Sequence, residues 1–138
     1  MVVISPNTLP TTAAAVCSSA NSAAVPSGVY STAEYSIISD LTKAANDGKN
    51  AYLILGAKRT SVCEMQFITA TCNQLTSFTW TDETPGNAGF AVENWLDMRP
   101  NNWRKNQDYL MVNTASGELD DVEATRAVAG AVCGMPAT

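Results

Sequence analysis

The sequence predicts an α+β fold, with two helices packed on a small antiparallel sheet and a long loop region interrupting the strands. Three observations carry that expectation. Apolar residues recur at helical intervals in the first third of the chain, at Tyr35, Ile38, Leu41 and Ala45. Beyond Asn50 they gather instead into strand-sized runs, beginning with Ala51-Tyr52-Leu53-Ile54-Leu55. A chain of 138 residues with 46% hydrophobic composition buries one core, so a single domain is expected over 1–138.

The elements follow in order. Val2 to Ile4 reads as a short strand in an entry arm that runs to Pro10. Thr11 or Thr12 caps a helix over Ala13 to Ala20, which brings Cys17 onto one face. Pro26-Ser27-Gly28 breaks the chain. Ser31 and Glu34 have capping-box spacing ahead of the Tyr35–Ala45 stripe, and Asn46-Asp47-Gly48 supplies its stop. Ala51 to Leu55 is a buried strand. After Gly56, Met65 to Ile68 and Ser77 to Thr81 are short strand candidates. From Asp82 to Gln107 no periodicity survives, although the segment holds Phe90, Trp95 and Trp103. A loop of that length inside a compact domain is usually functional. Tyr109 to Val112 is a strand, Ala115-Ser116-Gly117 a turn, and Ala127 to Cys133 a closing strand.

Composition narrows the function. A net charge of −5 argues against a nucleic-acid partner, which needs clustered Lys and Arg. The longest apolar run, Ala51 to Ala57, is too short to cross a bilayer, so no transmembrane segment is expected. The chain contains no histidine, which removes His metal sites and the Ser-His and Cys-His nucleophiles. No Gly-rich phosphate cradle is present either. An enzyme is not expected.

Cys17, Cys63, Cys72 and Cys133 allow three pairings. Their even number and wide spacing suit disulfides in an oxidising compartment, the alternative being four buried thiols in a cytosolic domain. Cys17–Cys133 with Cys63–Cys72 is the favoured pairing. The first bridge ties the ends of the domain together, and closing a loop of ~100 residues is worth ~4–5 kcal/mol in the chain-entropy model. The second clips a short excursion between two apolar segments. A secreted, extracellular protein is the expectation.

A helix bearing a cysteine, a second helix, a strand Tyr52-Leu53-Ile54-Leu55-Gly56 and a final Cys133-Gly134 together resemble the C-type lectin-like domain. Ala57-Lys58-Arg59, the Cys63–Cys72 clip, Phe78-Thr79-Trp80-Thr81-Asp82 and Leu119-Asp120-Asp121-Val122 are similar to the version abundant in nematodes. The likeness spans roughly 12–134, and its strength lies in the shared order of short motifs. It implies a recognition domain whose partner is a carbohydrate or an extracellular protein ligand. A calcium-independent protein- or lipid-binding module on the same scaffold is the alternative.

In sugar-binding members, the resemblance implies a Ca²⁺ held by a Glu-Pro-Asn triplet, a later Glu and an Asn-Asp pair, with the ion also taking sugar hydroxyls. The matching positions here are Arg99-Pro100-Asn101, Gln107 and Asp120-Asp121. Asn101, Asp120 and Asp121 keep oxygen donors, so they form the candidate metal set, and Gln107 offers a neutral carbonyl. Arg99 places a cation where the pattern has an anion. Calcium gains affinity from ligand charge, and arginine has no acceptor and keeps its proton. The site is therefore expected to be degenerate, with no cofactor needed and calcium the one candidate. Arg99 is expected to replace the ion by pairing with Asp120 or Asp121. A separate stabilising calcium would draw on Asp82, Glu83 or Asp108.

The family's inner disulfide is also missing, since its two positions are Tyr109 and Ala124. That loss is expected to loosen the long loop, and the Cys63–Cys72 clip lies elsewhere and is not expected to compensate. Trp80 and Trp95 read as core anchors. Trp103, between Asn102 and Arg104-Lys105, is the best candidate for an exposed aromatic that meets a sugar or a protein partner. Arg99, Asn101, Trp103, Gln107, Asp120 and Asp121 together form the expected ligand-binding region.

Overall fold

The structure is a computed structural model that describes residues 1–29, 32–67, 69, 71–73, 77–81 and 100–135. Strand β1 (Val2–Thr8) leads into helix α1 (Ala13–Ala20), a two-residue strand β2 (Val25–Pro26) and helix α2 (Thr32–Ala45). Strands β3 (Tyr52–Arg59), β4 (Phe78–Trp80), β5 (Tyr109–Asn113), β6 (Leu119–Val122) and β7 (Val128–Gly134) follow, with one 3-10 turn at Trp103–Lys105. The sheet order is β1-β7-β3-β5-β6, with β2 paired to β7 and β4 to β3. Among the described residues no helix is long and apolar enough to cross a membrane.

The two helices are where the sequence places them. The sheet is mixed rather than purely antiparallel, because β3 and β7 run parallel where Ile54 faces Ala131. β3 is central, and its alternation splits the core in two. Leu53, Leu55 and Ala57 pack with Ile38 of α2, Trp80, Leu110, Val112 and Leu119. Ile54 faces the other way and packs with Cys17 of α1, Met111, Val122 and Cys133. Trp80 is a core anchor, as expected; Trp95 and the Ser31 cap lie outside the described residues.

Several expectations need correction. The buried stripe of α2 contains Ile38 and Thr42, whereas Leu41 is exposed. Thr42 is tolerated there because its hydroxyl donates to the Ile38 carbonyl at 2.7 Å. Thr12 precedes α1 but does not cap it; its Oγ1 accepts instead from the Leu9 amide at 2.9 Å. Met65 to Phe67 form no strand, since Met65 sits in a turn with φ 63°. Ile68 lies outside the described residues.

β3 also runs past Gly56 to Arg59. Gly56 is needed in mid-strand because β2 crosses close by. A Cβ there would lie 2.3 Å from the Pro26 carbonyl oxygen, while the Gly56 amide donates to Ser27 O at 2.8 Å. That packing is what lets β3 continue and deliver Arg59 to the loop end of the sheet. At the opposite end of the chain, the Met1 ammonium donates to the Cys133 carbonyl at 2.8 Å. Disulfides join Cys17 to Cys133 and Cys63 to Cys72, the pairing the sequence favours.

Candidate functional site

The register of β5 and β6 sets the geometry of the loop end. Leu110 faces Asp121 and Met111 faces Asp120, so the two adjacent aspartates point to opposite sides of the sheet. Asp121 turns to the side of Leu119 and is fully buried. On the same side, the parity of Leu53, Leu55 and Ala57 places Arg59 at the end of β3, also buried. Arg59 Nη2 donates to Asp121 Oδ2 at 2.7 Å. The Phe78 ring lies 4.5 Å from the guanidinium carbon, a cation–π contact that helps hold the fork.

The chain from Pro100 onward closes over this pair. The Asn101 amide donates to Asp121 Oδ1 at 3.2 Å, and the Asn102 amide donates to Oδ2 at 2.6 Å. Both carboxylate oxygens are thus taken by internal donors. Asn102 is fully buried in the left-handed region (φ 48°, ψ 49°), a conformation asparagine tolerates better than most residues. Its Oδ1 accepts from the Gln107 amide at 2.9 Å, and its Nδ2 donates to the Gln66 carbonyl at 2.7 Å. Gln66 lies between Cys63 and Cys72. The clipped excursion therefore braces the described end of the long loop at Asn102, a role the sequence does not lead one to expect.

Gln107 completes the network. Its carbonyl accepts from Arg59 Nε at 3.2 Å and Nη2 at 2.9 Å, and its Oε1 accepts from the Trp103 amide at 2.9 Å. Its Nε2 donates to Glu123 Oε2 at 3.3 Å. Asn101 Oδ1 also accepts from the Trp103 amide, at 3.3 Å. Trp103 itself is exposed, as expected, with Arg104 stacked on its ring at 4.3 Å.

Burial pulls the Arg59 guanidinium below its ordinary value, against the opposing pull of Asp121 and then Asp108. Asp108 lies 3.4 Å from Arg59 Nε, within ion-pair range, but its Oδ1 accepts no hydrogen bond among the described residues. Burial pushes the Asp108 carboxyl up, and the attraction of Arg59 only partly offsets this. A carboxyl that holds its proton more tightly when folded contributes stability below its unfolded value, and that contribution is lost as pH rises through the raised folded value. Asp108→Asn removes this dependence. In melts run from acid toward neutrality, the variant is expected to gain on the wild type as pH rises. A gap moving the other way would mean that the Arg59 pairing outweighs burial.

The structure thus gathers Asn101, Gln107 and Asp121 into one network and leaves Asp120 out of it. Asp120 lines a separate recess of about 150 Å³ with Tyr52, Met111, Asn113, Glu118 and Arg126. Of the candidate metal set, Asn101 and Asp121 are joined by a hydrogen bond, while Asp120 is turned to the other side of β6. Arg99, Asp82 and Glu83 lie outside the described residues. Among the described residues, Asp121's cationic partner is Arg59, which stands in the run Ala57-Lys58-Arg59. Its position on the core-facing parity of β3 was the available signal.

No protein-family model and no curated protein sequence matches the chain. Solved structures do. The C-type lectin CEL-I from Cucumaria echinata superposes with a TM-score of 0.64 at 20% identity, covering 91% of this chain and 81% of that one. The fold is that of the C-type lectin-like domain. The C-type carbohydrate-recognition domain of cow CD23, solved in the presence of a GlcNAc2Man3 oligosaccharide, has a TM-score of 0.66 at 16% identity, covering 100% of this chain and 87% of that one. A calcium-independent type II antifreeze protein also scores 0.66, at 15% identity, with 99% and 85% covered. Within this fold, the end of the sheet covered by the chain from Pro100 to Gln107 is thus organised around a buried arginine.

Proposed function

We propose that this C-type lectin-like domain is a secreted, extracellular recognition module that engages its ligand without calcium. The observation that carries the reading is the state of Asp121. Calcium takes six to eight oxygens and favours anionic ones. Here both Asp121 oxygens already accept from Arg59 and from the Asn101 and Asn102 amides. The side-chain oxygens of Asn101 and Gln107 accept from the Trp103 amide, and Asp120 faces away. This donor set does not fit the ion, and Arg59 supplies the positive charge in its place. Two disulfides support an oxidising, extracellular setting. The motif order supports kinship with the nematode-type version. Binding, not catalysis, is the activity.

The exposed Trp103 supports a metal-free protein- or lipid-binding surface. Carbohydrate binding is the second reading, favoured by the likeness to a domain solved with an oligosaccharide. It would proceed by direct contact rather than through an ion. A thermal melt with calcium and with EDTA tests the first point, because a ligand that binds only the native state raises its stability. No shift is expected. A calcium-dependent rise that disappears in Asp121→Asn would defeat the proposal. A glycan array run in EDTA separates the two ligand classes: strong, saccharide-specific signal selects the second reading.

A further inference from the structure

The turn within the Cys63–Cys72 clip and the turn that follows Asn102 form one surface. Asn102 Nδ2 donates to Gln66 O at 2.7 Å, and Lys105 Nζ sits 5.0 Å from the centre of the Phe67 ring. Around this join, Met65 is 64% exposed, Phe67 51% and Trp103 55%. Val62, just before the clip, is 70% exposed. Three large apolar side chains, Met65, Phe67 and Trp103, are thus gathered on two joined turns rather than scattered singly. Two cations, Arg104 and Lys105, lie against the rings of Trp103 and Phe67.

The surface is also rigidly presented. Met65, Asn102, Arg104 and Lys105 all have positive φ, of 63°, 48°, 59° and 57°. Such conformations in residues other than glycine cost on the order of 1 kcal/mol or more each, and they persist where the surroundings fix them. The buried Asn102, bonded through both its amide oxygen and nitrogen, is that fixture. The strain points the side chains outward from a braced base.

From this juxtaposition of Met65 and Phe67 with Trp103, Arg104 and Lys105, we propose that the tip docks on an anionic lipid surface. The inference rests on the metal-free recognition reading and names its partner. Side chains this exposed on turn tips suit immersion better than clamping by a second protein, which favours aromatics seated in pockets. Met and Val offer nothing to a sugar hydroxyl. Tryptophan and phenylalanine lodge at the headgroup level, while Arg and Lys beside them meet anionic headgroups. Two cations near such a surface contribute about 1 kcal/mol each, which gives about thirtyfold together. The complementarity is local, since the whole chain carries −5 and Glu64 adjoins the tip. Vesicles without anionic lipid should therefore bind far less.

The test is co-sedimentation of the intact protein with phosphatidylcholine vesicles, with and without phosphatidylserine, each in EDTA and in calcium. Binding is expected only with phosphatidylserine, equally in both buffers, weakened by salt and not displaced by soluble phosphoserine. Arg104→Ala with Lys105→Ala should weaken it about thirtyfold. Phe67→Ser and Trp103→Ser should each weaken it about tenfold, with unchanged melting temperatures because both side chains are exposed. Absence of binding by the folded wild type, in a protein whose melt ignores calcium, overturns the lipid inference alone. Binding that requires calcium overturns the metal-free reading beneath it. Full binding by the Phe67 and Trp103 variants also overturns the inference, as does displacement by soluble phosphoserine.

Discussion

Arg59→Met is expected to destabilise the domain by about 3–5 kcal/mol, the usual loss when one partner of a buried ion pair is removed. The methionine fills much of the space and packs against Phe78, so the loss is electrostatic rather than a cavity effect. Asp121 is fully buried and would keep, among the described residues, only the Asn101 and Asn102 amides as donors. The Gln107 carbonyl would lose both of its contacts from Arg59, and the loop base would lose its tie to β3. Lysine is no substitute, because a single ammonium cannot reproduce the fork that bonds Gln107 O and Asp121 Oδ2 together. Chemical denaturation measures the loss. The double variant Arg59→Met with Asp121→Leu is expected to recover only part of it, because the apolar pair removes the buried charge but leaves the Asn101 and Asn102 amides and the Gln107 carbonyl without these partners. Two single variants within about 1 kcal/mol of wild type would mean that the pair is not the anchor of this loop.

That anchor shows where sequence reading succeeds and where it stops. Periodicity locates α2, helix-forming residues locate α1, and strand-sized apolar runs locate β1, β3, β5 and β7, whereas the edge strand β6 carries the polar pair Asp120-Asp121 and gives no such run. Ile38, Leu53, Leu55, Leu110 and Val112 are core for that reason. The same rule would have flagged Arg59, which shares parity with Leu53, Leu55 and Ala57. The resemblance directs attention instead to Arg99, the first residue of the triplet Arg99-Pro100-Asn101, which lies outside the described residues. It also groups Asp120 with Asp121, whereas the register of β5 and β6 turns them to opposite sides of the sheet here. Other features lie beyond local pattern. The two-residue β2 and the parallel contact of β3 with β7 are set by tertiary pairing, and no run of side chains encodes them. The brace between Asn102 and Gln66 joins residues 36 apart through an amide and a carbonyl, and backbone acceptors leave no mark on a sequence. The lack of cysteine at Tyr109 and Ala124, the positions that the resemblance assigns to an inner bridge, is legible in the sequence. The substitute at the loop base is legible only once Arg59, Gln107 and Asp121 are seen together.

The two disulfides are expected to separate global stability from the order of the tip. Cys17→Ala with Cys133→Ala should cost about 2–5 kcal/mol, because the bridge closes a separation of 116 residues. It also fixes α1 against β7, and both sulfurs lie in the buried cluster with Ile54, Met111 and Val122. β7 lies between β1 and β3, so loosening it frees the edge strand and the Met1 contact to Cys133 together. The expected readout is a large fall in the denaturation midpoint with the transition still cooperative. Cys63→Ala with Cys72→Ala removes a closure of only 9 residues, worth about 2–3 kcal/mol on the same chain-entropy model. Its effect is expected to concentrate locally, since Gln66 is the acceptor that holds Asn102, and Asn102 holds the Trp103 turn. Amide exchange at Trp103 and Gln107 should therefore accelerate in the second variant well beyond what its fall in global stability explains. In the first variant, exchange at those amides should rise only in step with global stability. Equal local acceleration in both would mean that the clip braces nothing, and that the loop end depends on the fold as a whole.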